Sequence, residues 1–233
     1  MTSAPFRMGD VLVRSGHVLS RHVATFILLV GLAELPPLIL KLYLNRPLES
    51  NPDLIDLLEF VLSTFAEAIV VFAAFQDLRG RPVSAAESLN RGVARAIPAF
   101  GASLLAVVLT LGGVVLCIVP GLIAMAAYCV VMPSCVVEGL GPIASLKRSA
   151  ALSNGQRWPI AGVAIAWLIM SVVVDESIMG ALPHDPAAPV QLLRWIWTVL
   201  SSSYYTVFTA ILYHDLRAAK ESIGIEEIAS VFD

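Results

Sequence analysis

Charge is scarce in this sequence. Asp, Glu, Lys and Arg together make up 14% of its 233 residues, where a soluble domain carries about a quarter. So little charge excludes an ordinary water-exposed surface. Cysteine is rare too: Cys117, Cys129 and Cys135 all fall inside apolar runs, where a thiol behaves as a small hydrophobe. No loop offers a second thiol, so neither a disulfide framework nor a zinc site is expected. Histidine occurs singly at His17, His22, His184 and His214, which suits interface or loop positions better than metal ligation. A Gly-rich phosphate loop, a nucleophile elbow and a paired-histidine helix are all missing. "GLGP" (Gly139–Pro142) lacks the Lys-Ser/Thr such a loop needs, and its simpler role is to break the chain. No metal and no cofactor are expected. A net charge of −3 and basic clusters without interleaved aromatics argue against a nucleic-acid partner.

What fills the chain is apolar: 58% of residues are hydrophobic and mean hydropathy is +0.81. Runs of about 20 apolar residues recur without the polar faces a soluble core would need. Arg7, Arg14 and Arg21 ahead of Gly31-Leu32-Ala33 imitate a secretory signal, but the apolar run resumes after Pro36-Pro37, so a retained span is expected. The fold class is an all-α, polytopic integral membrane bundle of six transmembrane helices. They are expected at His22–Asn45, Leu54–Gln76, Pro98–Val119, Leu122–Val137, Trp158–Val174 and Leu192–His214, the third and fourth joined by a tight turn at Pro120-Gly121. With the N-terminus inside, twelve basic residues (Arg7, Arg14, Arg21, Arg79, Arg81, Arg91, Arg95, Lys147, Arg148, Arg157, Arg217, Lys220) face the cytoplasm and three (Lys41, Arg46, Arg194) the other side. The positive-inside rule then puts both termini in the cytoplasm, and a bacterial inner membrane is the expected location.

The basic segments repeat. "GDVLVRSGHVLSRH" (Gly9–His22), "AESLNRGVARAIP" (Ala86–Pro98) and "ASLKRSAALSNGQRWP" (Ala144–Pro159) align Leu12, Leu89 and Leu146, then Arg14, Arg91 and Arg148, then Ser15, Gly92 and Ser149. Each predicts an interfacial helix with apolar residues down and basic residues toward anionic headgroups. In the third copy Leu146 and Leu152 are expected to face acyl chains, with Lys147, Arg148 and Arg157 at the headgroups. An acid ends every even-numbered span: Asp77, Glu138 and Asp215. One membrane domain, 1–233, is thus expected to hold three parallel repeats, at about 6–81, 82–140 and 141–221, with a short cytoplasmic tail at 216–233. Asp77 and Asp215 are expected to close the cytoplasmic rim through ion pairs with Arg14, Arg91 or Arg148.

"EGLGPIASLKRSAALSNGQRW" and the closing "YHDLRAAKESIGIEE" resemble "EGLGPLEALRRSWELTRGNRW" and "YYDLRVRKEGLDIE" of a widespread group of bacterial membrane proteins. That group resembles the membrane domain attached to some glycerophosphodiester phosphodiesterases. The chain departs from it at Ala219, where a basic residue is usual, and at Ser222, where a glycine is. The resemblance covers nearly the whole chain and implies the six-span fold, but little about function.

A phosphodiesterase would need a metal-binding domain with grouped carboxylates and histidines, and the spans use up the chain. Glu34 and Glu67 are the chemically interesting residues, since ionisable groups at membrane depth are costly. At about 1.5 Å per residue they lie roughly 18 and 15 Å from the inner ends of their spans, at similar depth. Pro36 and Pro37 cannot donate to the helix and free the carbonyls near Leu32 and Ala33. Glu34, Glu67 and these carbonyls are expected to share one pocket. The leading expectation for function is a non-enzymatic, lipid-interacting module that organises bilayer or assists partner proteins. Its partners would be membrane lipids, anionic phospholipid above all, with protein partners or a homo-oligomer open. The alternative is a small transporter or channel using Glu34 and Glu67; an enzyme acting on lipid ranks third.

Overall fold

A computed structural model describes residues 8–21, 23–43, 52–78, 85–180 and 188–232. These are helical apart from short breaks at 117, 129–130, 139–141 and 154–156, with no strand among them. In chain order they form α1 (Met8–Arg21), α2 (Val23–Tyr43), α3 (Pro52–Leu78), α4 (Ala85–Leu116), α5 (Ile118–Tyr128), α6 (Val131–Glu138), α7 (Pro142–Ser153), α8 (Arg157–Gly180) and α9 (Ala188–Phe232).

Among the described residues, three stretches are long and apolar enough to cross a membrane: Glu87–Leu116, Ile118–Glu138 (α5 and α6 together) and Arg157–Ile178. A fourth is added if α1 and the start of α2, which meet at 84°, count as one bent span. Phe60–Gln76 is apolar but shorter.

The expected turn at Pro120-Gly121 falls elsewhere. The chain breaks at Cys117, while Pro120 and Gly121 sit in the first turn of α5. The first N–H groups of a helix have no internal acceptor, so a proline there loses nothing. Gly121 instead closes the α4–α5 hairpin: a Cβ on it would lie 2.3 Å from Val114 Cγ2 and 2.8 Å from the Val114 nitrogen. The second basic segment also differs from its expected form. Rather than a separate interfacial helix before the span, it is continuous with it in α4, which runs unbroken past Pro98. Leu89, Val93 and Ile97 leave an exposed apolar stripe along it.

The core gathers around α9, whose Val207, Ile211, Leu212 and Tyr213 are fully buried against Val11, Phe26, Val30 and Val70. Elsewhere helices meet through small residues, as membrane helices do in the absence of a hydrophobic drive: Ala68, Ala99, Ala102, Ala126 and Ala127 are all buried. α6 ends at Gly139, whose φ of +70° is the left-handed conformation that favours glycine, and Gly141 and Pro142 open α7.

The third basic segment folds as α7, but its leucines do not face acyl chains. Leu146 packs with Ala102, Ala106 and Val131, and Leu152 joins the main core. α7 lies on α4, α5 and α6, so its apolar side is covered by protein before lipid can reach it.

Candidate functional site

Four helices turn polar residues toward one cavity of about 310 Å³. α2 contributes Val30 and Glu34, α3 Ser63, Ala66 and Glu67, α8 Trp167 and Ser171, and α9 Ser201, Ser202, Tyr205 and Thr206. The spacing explains the convergence. Val30 and Glu34, Ser63 and Glu67, Trp167 and Ser171, Ser201 and Tyr205, and Ser202 and Thr206 are each four residues apart, one turn up the same helix face. Glu34 is buried at 2% exposure, and Glu67 is half-buried. The structure therefore brings the two acids to one chamber. Its walls among the described residues do not include Pro36, which is exposed, or Leu32, 63% exposed. The side chain of Pro37 lies outside the described residues.

The chamber is rich in acceptors. Ser63 donates to the Phe60 carbonyl at 3.1 Å, Ser201 to that of Thr198 at 3.1 Å and Thr206 to that of Ser202 at 2.8 Å. A hydroxyl whose proton is used on its own helix offers only lone pairs to a guest. Trp167 adds an aromatic wall, stacked on Tyr204 at 5.3 Å between ring centroids and 6.1 Å from Tyr205.

The second polar assembly is a rim where α1, α7 and α9 meet. Arg14 donates to both carboxylate oxygens of Asp215, at 2.9 and 2.8 Å. Arg148 donates through Nε to Glu138 at 2.8 and 3.0 Å, and through Nη2 to Glu221 at 2.7 Å. Glu138 also accepts from the Tyr213 hydroxyl at 2.6 Å, and Arg217 reaches Glu221 at 2.9 Å. Burial works against the Arg148 charge, but the bonds to Glu138 and Glu221 outweigh it and raise its pKa. The Arg217 bond, helped by Arg148 and opposed by some desolvation, holds the Glu221 carboxyl below its ordinary value. Arg148 is thus committed to protein carboxylates, because α7 carries it over the end of α6 and alongside α9. Arg91 pairs with Glu87 at 3.3 Å and lies 5.5 Å from the Phe72 ring centroid. The Asp77 side chain lies outside the described residues, as do His22 and His184.

Lys147 is exposed on α7, and Arg157 begins α8 half-buried, donating to the Ala150 carbonyl at 3.3 Å. The three thiols are free, and no three His, Cys, Asp or Glu residues among the described ones are grouped to hold a metal. Reading the sequence for isolated charges reveals Glu34 and Glu67 but passes over the other walls. The signal for them is "SSSYYT" (Ser201–Thr206), a polar run inside an otherwise apolar stretch.

All-helical architecture, several helices of membrane-spanning length and large apolar side chains on their outer faces define a helical membrane protein. The chain belongs to the family described as a domain of unknown function (DUF7847), whose model matches residues 54–216. No curated protein and no solved structure matches it.

Proposed function

We propose that this is a non-enzymatic, six-span protein of a bacterial inner membrane, built of three repeats with both termini cytoplasmic, whose chamber takes a small organic cation as a transporter does. The twelve-to-three partition of basic residues supports the orientation. The packing supports the repeat. α1 rests on α9, the start of α4 on α3, and α7 on α5 and α6, so each basic segment covers the second span of another unit. Ser15 and Ser149, which follow the repeated arginines, are fully buried. At Gly92, a Cβ would meet the Ile69 backbone at 2.7 Å. Arg14–Asp215 and Arg148–Glu138 link one unit's arginine to another's terminal acid in the same sense.

The observation that carries the function is the shared chamber. Two carboxyl groups from different helices meet three hydroxyls, of Ser63, Ser201 and Thr206, that have only lone pairs to offer, and the rings of Trp167 and Tyr205. Acceptors and aromatic faces together favour a cation, and a desolvated cation needs a counter-charge. The volume lies at the small end of ligand sites, suiting a few heavy atoms. The test is calorimetry on protein in lipid nanodiscs with tetramethylammonium and ethylammonium as probes. Saturable binding of either is expected, with acetate silent, and Glu34→Gln combined with Glu67→Gln should abolish binding without altering the melting profile. Absence of binding by both cations, or binding that survives the double variant, would overturn the reading. A lipid-interacting role draws on other residues, those beside Arg157.

A further inference from the structure

A second depression, of about 190 Å³, opens between α5 and α8, walled by Leu122, Ile123, Trp158 and Ala161, with Arg157 at its head. Trp158 is 67% exposed, whereas Ala161 is buried. The walls are wholly apolar apart from one guanidinium. That guanidinium is only partly satisfied by the protein: one Nη donates to the Ala150 carbonyl, but its Nε is buried and has no hydrogen-bond partner among the described residues. A buried donor without an acceptor costs about 1–3 kcal/mol and more when charged, so a site that keeps one calls for an acceptor. Lys220 lies close by, donating to the Ala151 carbonyl. Burial and the Arg157 charge together lower its pKa. Arg157 thus stands at the head of an apolar groove with a second cation, Lys220, near enough to feel its charge.

We infer that this groove binds one anionic phospholipid, the phosphodiester on Arg157 and Lys220 and an acyl segment along Leu122, Ile123 and Trp158. The charge fits because a phosphate accepts from a guanidinium and an ammonium at once. The apolar walls fit because only a lipid offers a chain beside its phosphate. Trp158 then lies at the headgroup–chain boundary, where indole is favoured. The site is distinct from the chamber: it faces the bilayer between α5 and α8, and its lining shares no residue with the chamber. It stands whether or not the chamber takes a cation.

The test is native mass spectrometry of protein released from nanodiscs of phosphatidylglycerol or of phosphatidylcholine. Wild-type protein is expected to retain one phosphatidylglycerol molecule through detergent exchange that strips phosphatidylcholine, and inorganic phosphate at millimolar concentration should not displace it. Arg157→Gln should lower retention about tenfold. Leu122→Trp, which fills the groove and leaves both cations in place, should lower it as much. The second variant keeps the test decisive if the first fails to fold. Equal retention by wild type and Leu122→Trp would overturn the groove as the site. Equal retention of the two lipids, or displacement by phosphate alone, would overturn the proposed recognition of an anionic lipid.

Discussion

α4 and α9 are both long helices rich in Leu, Val and Ala, and they are used in opposite ways. Along α4 the large residues point outward: Val108, Leu111, Val115 and Leu116 are exposed, while Ala99, Ala102 and Ala106 face protein. Along α9 the buried positions include Ser203, Thr206 and Thr209 beside Val207, Ile211 and Tyr213. Size and hydropathy are therefore poor guides to burial in this molecule. In a bilayer a leucine loses little by facing lipid, so close approach and polar pairing decide which side of a helix turns in. α4 packs by being small on one side, and α9 by being polar in places.

The largest break in that comparison is expected at the α4–α5 hairpin. Gly121→Val would drive a side chain into the Val114 backbone, which cannot yield as a side-chain tip can. Overpacking of this kind costs about 1–3 kcal/mol or more, and the upper end is expected, with loss of monodisperse protein in detergent. Maleimide labelling of buried Cys135 on heating, in a Cys117→Ser background, reads the unfolding. Two substitutions on α4 itself come next. Ala102→Leu, on the inner side, should cost about 2 kcal/mol, whereas Val108→Ala, on the outer side, should cost less than about 0.5 kcal/mol because its methyls face lipid. Equal effects would erase the distinction between the two faces.

On the α9 side, Glu138→Gln removes the charge that accepts from Arg148 and Tyr213. A loss of about 1–2 kcal/mol is expected by the same labelling assay, charge-assisted bonds being the stronger kind. The smallest effect concerns acid. Because the folded protein lowers the Glu221 pKa beneath its ordinary 4.5, its contribution is complete above that value and lost as pH falls through the lowered one. Glu221→Gln should therefore melt slightly below wild type at pH 6 and converge with it as pH falls through the lowered value. A constant gap across that range would show the pairing to be inert.

Much of this architecture is legible in the sequence because spanning segments and basic flanks are long, strong signals. The α2 and α3 boundaries lie within two residues of the apolar runs that predict them, and α8 starts within one residue but continues to Gly180, past the predicted end at Val174. Punctuation misleads where position in a helix changes its meaning. Pro120-Gly121 reads as a turn, but proline is harmless in a first turn and Gly121 is there for contact. Leu146, Leu152 and Arg148 read as lipid-facing because periodicity identifies an amphipathic side without saying what covers it. Only the two acids of the chamber are legible on these grounds: a lone glutamate in an apolar run stands out, whereas Trp167 and back-bonded serines look like ordinary filling.

α9 has 45 residues, about 68 Å of continuous helix, and a bilayer with its headgroups is only about 40–45 Å thick. On the six-span reading, at least about 20 Å of it stands clear of the membrane. The same rod carries Ser201–Thr206 in the chamber wall and, beyond the rim, the stretch after Lys220. Arg14 grips it between the two, at Asp215, and Arg148 at the start of the second, at Glu221. If the chamber takes a guest as proposed, those grips would act as a fulcrum, and a tilt of the chamber wall would swing the far end the opposite way.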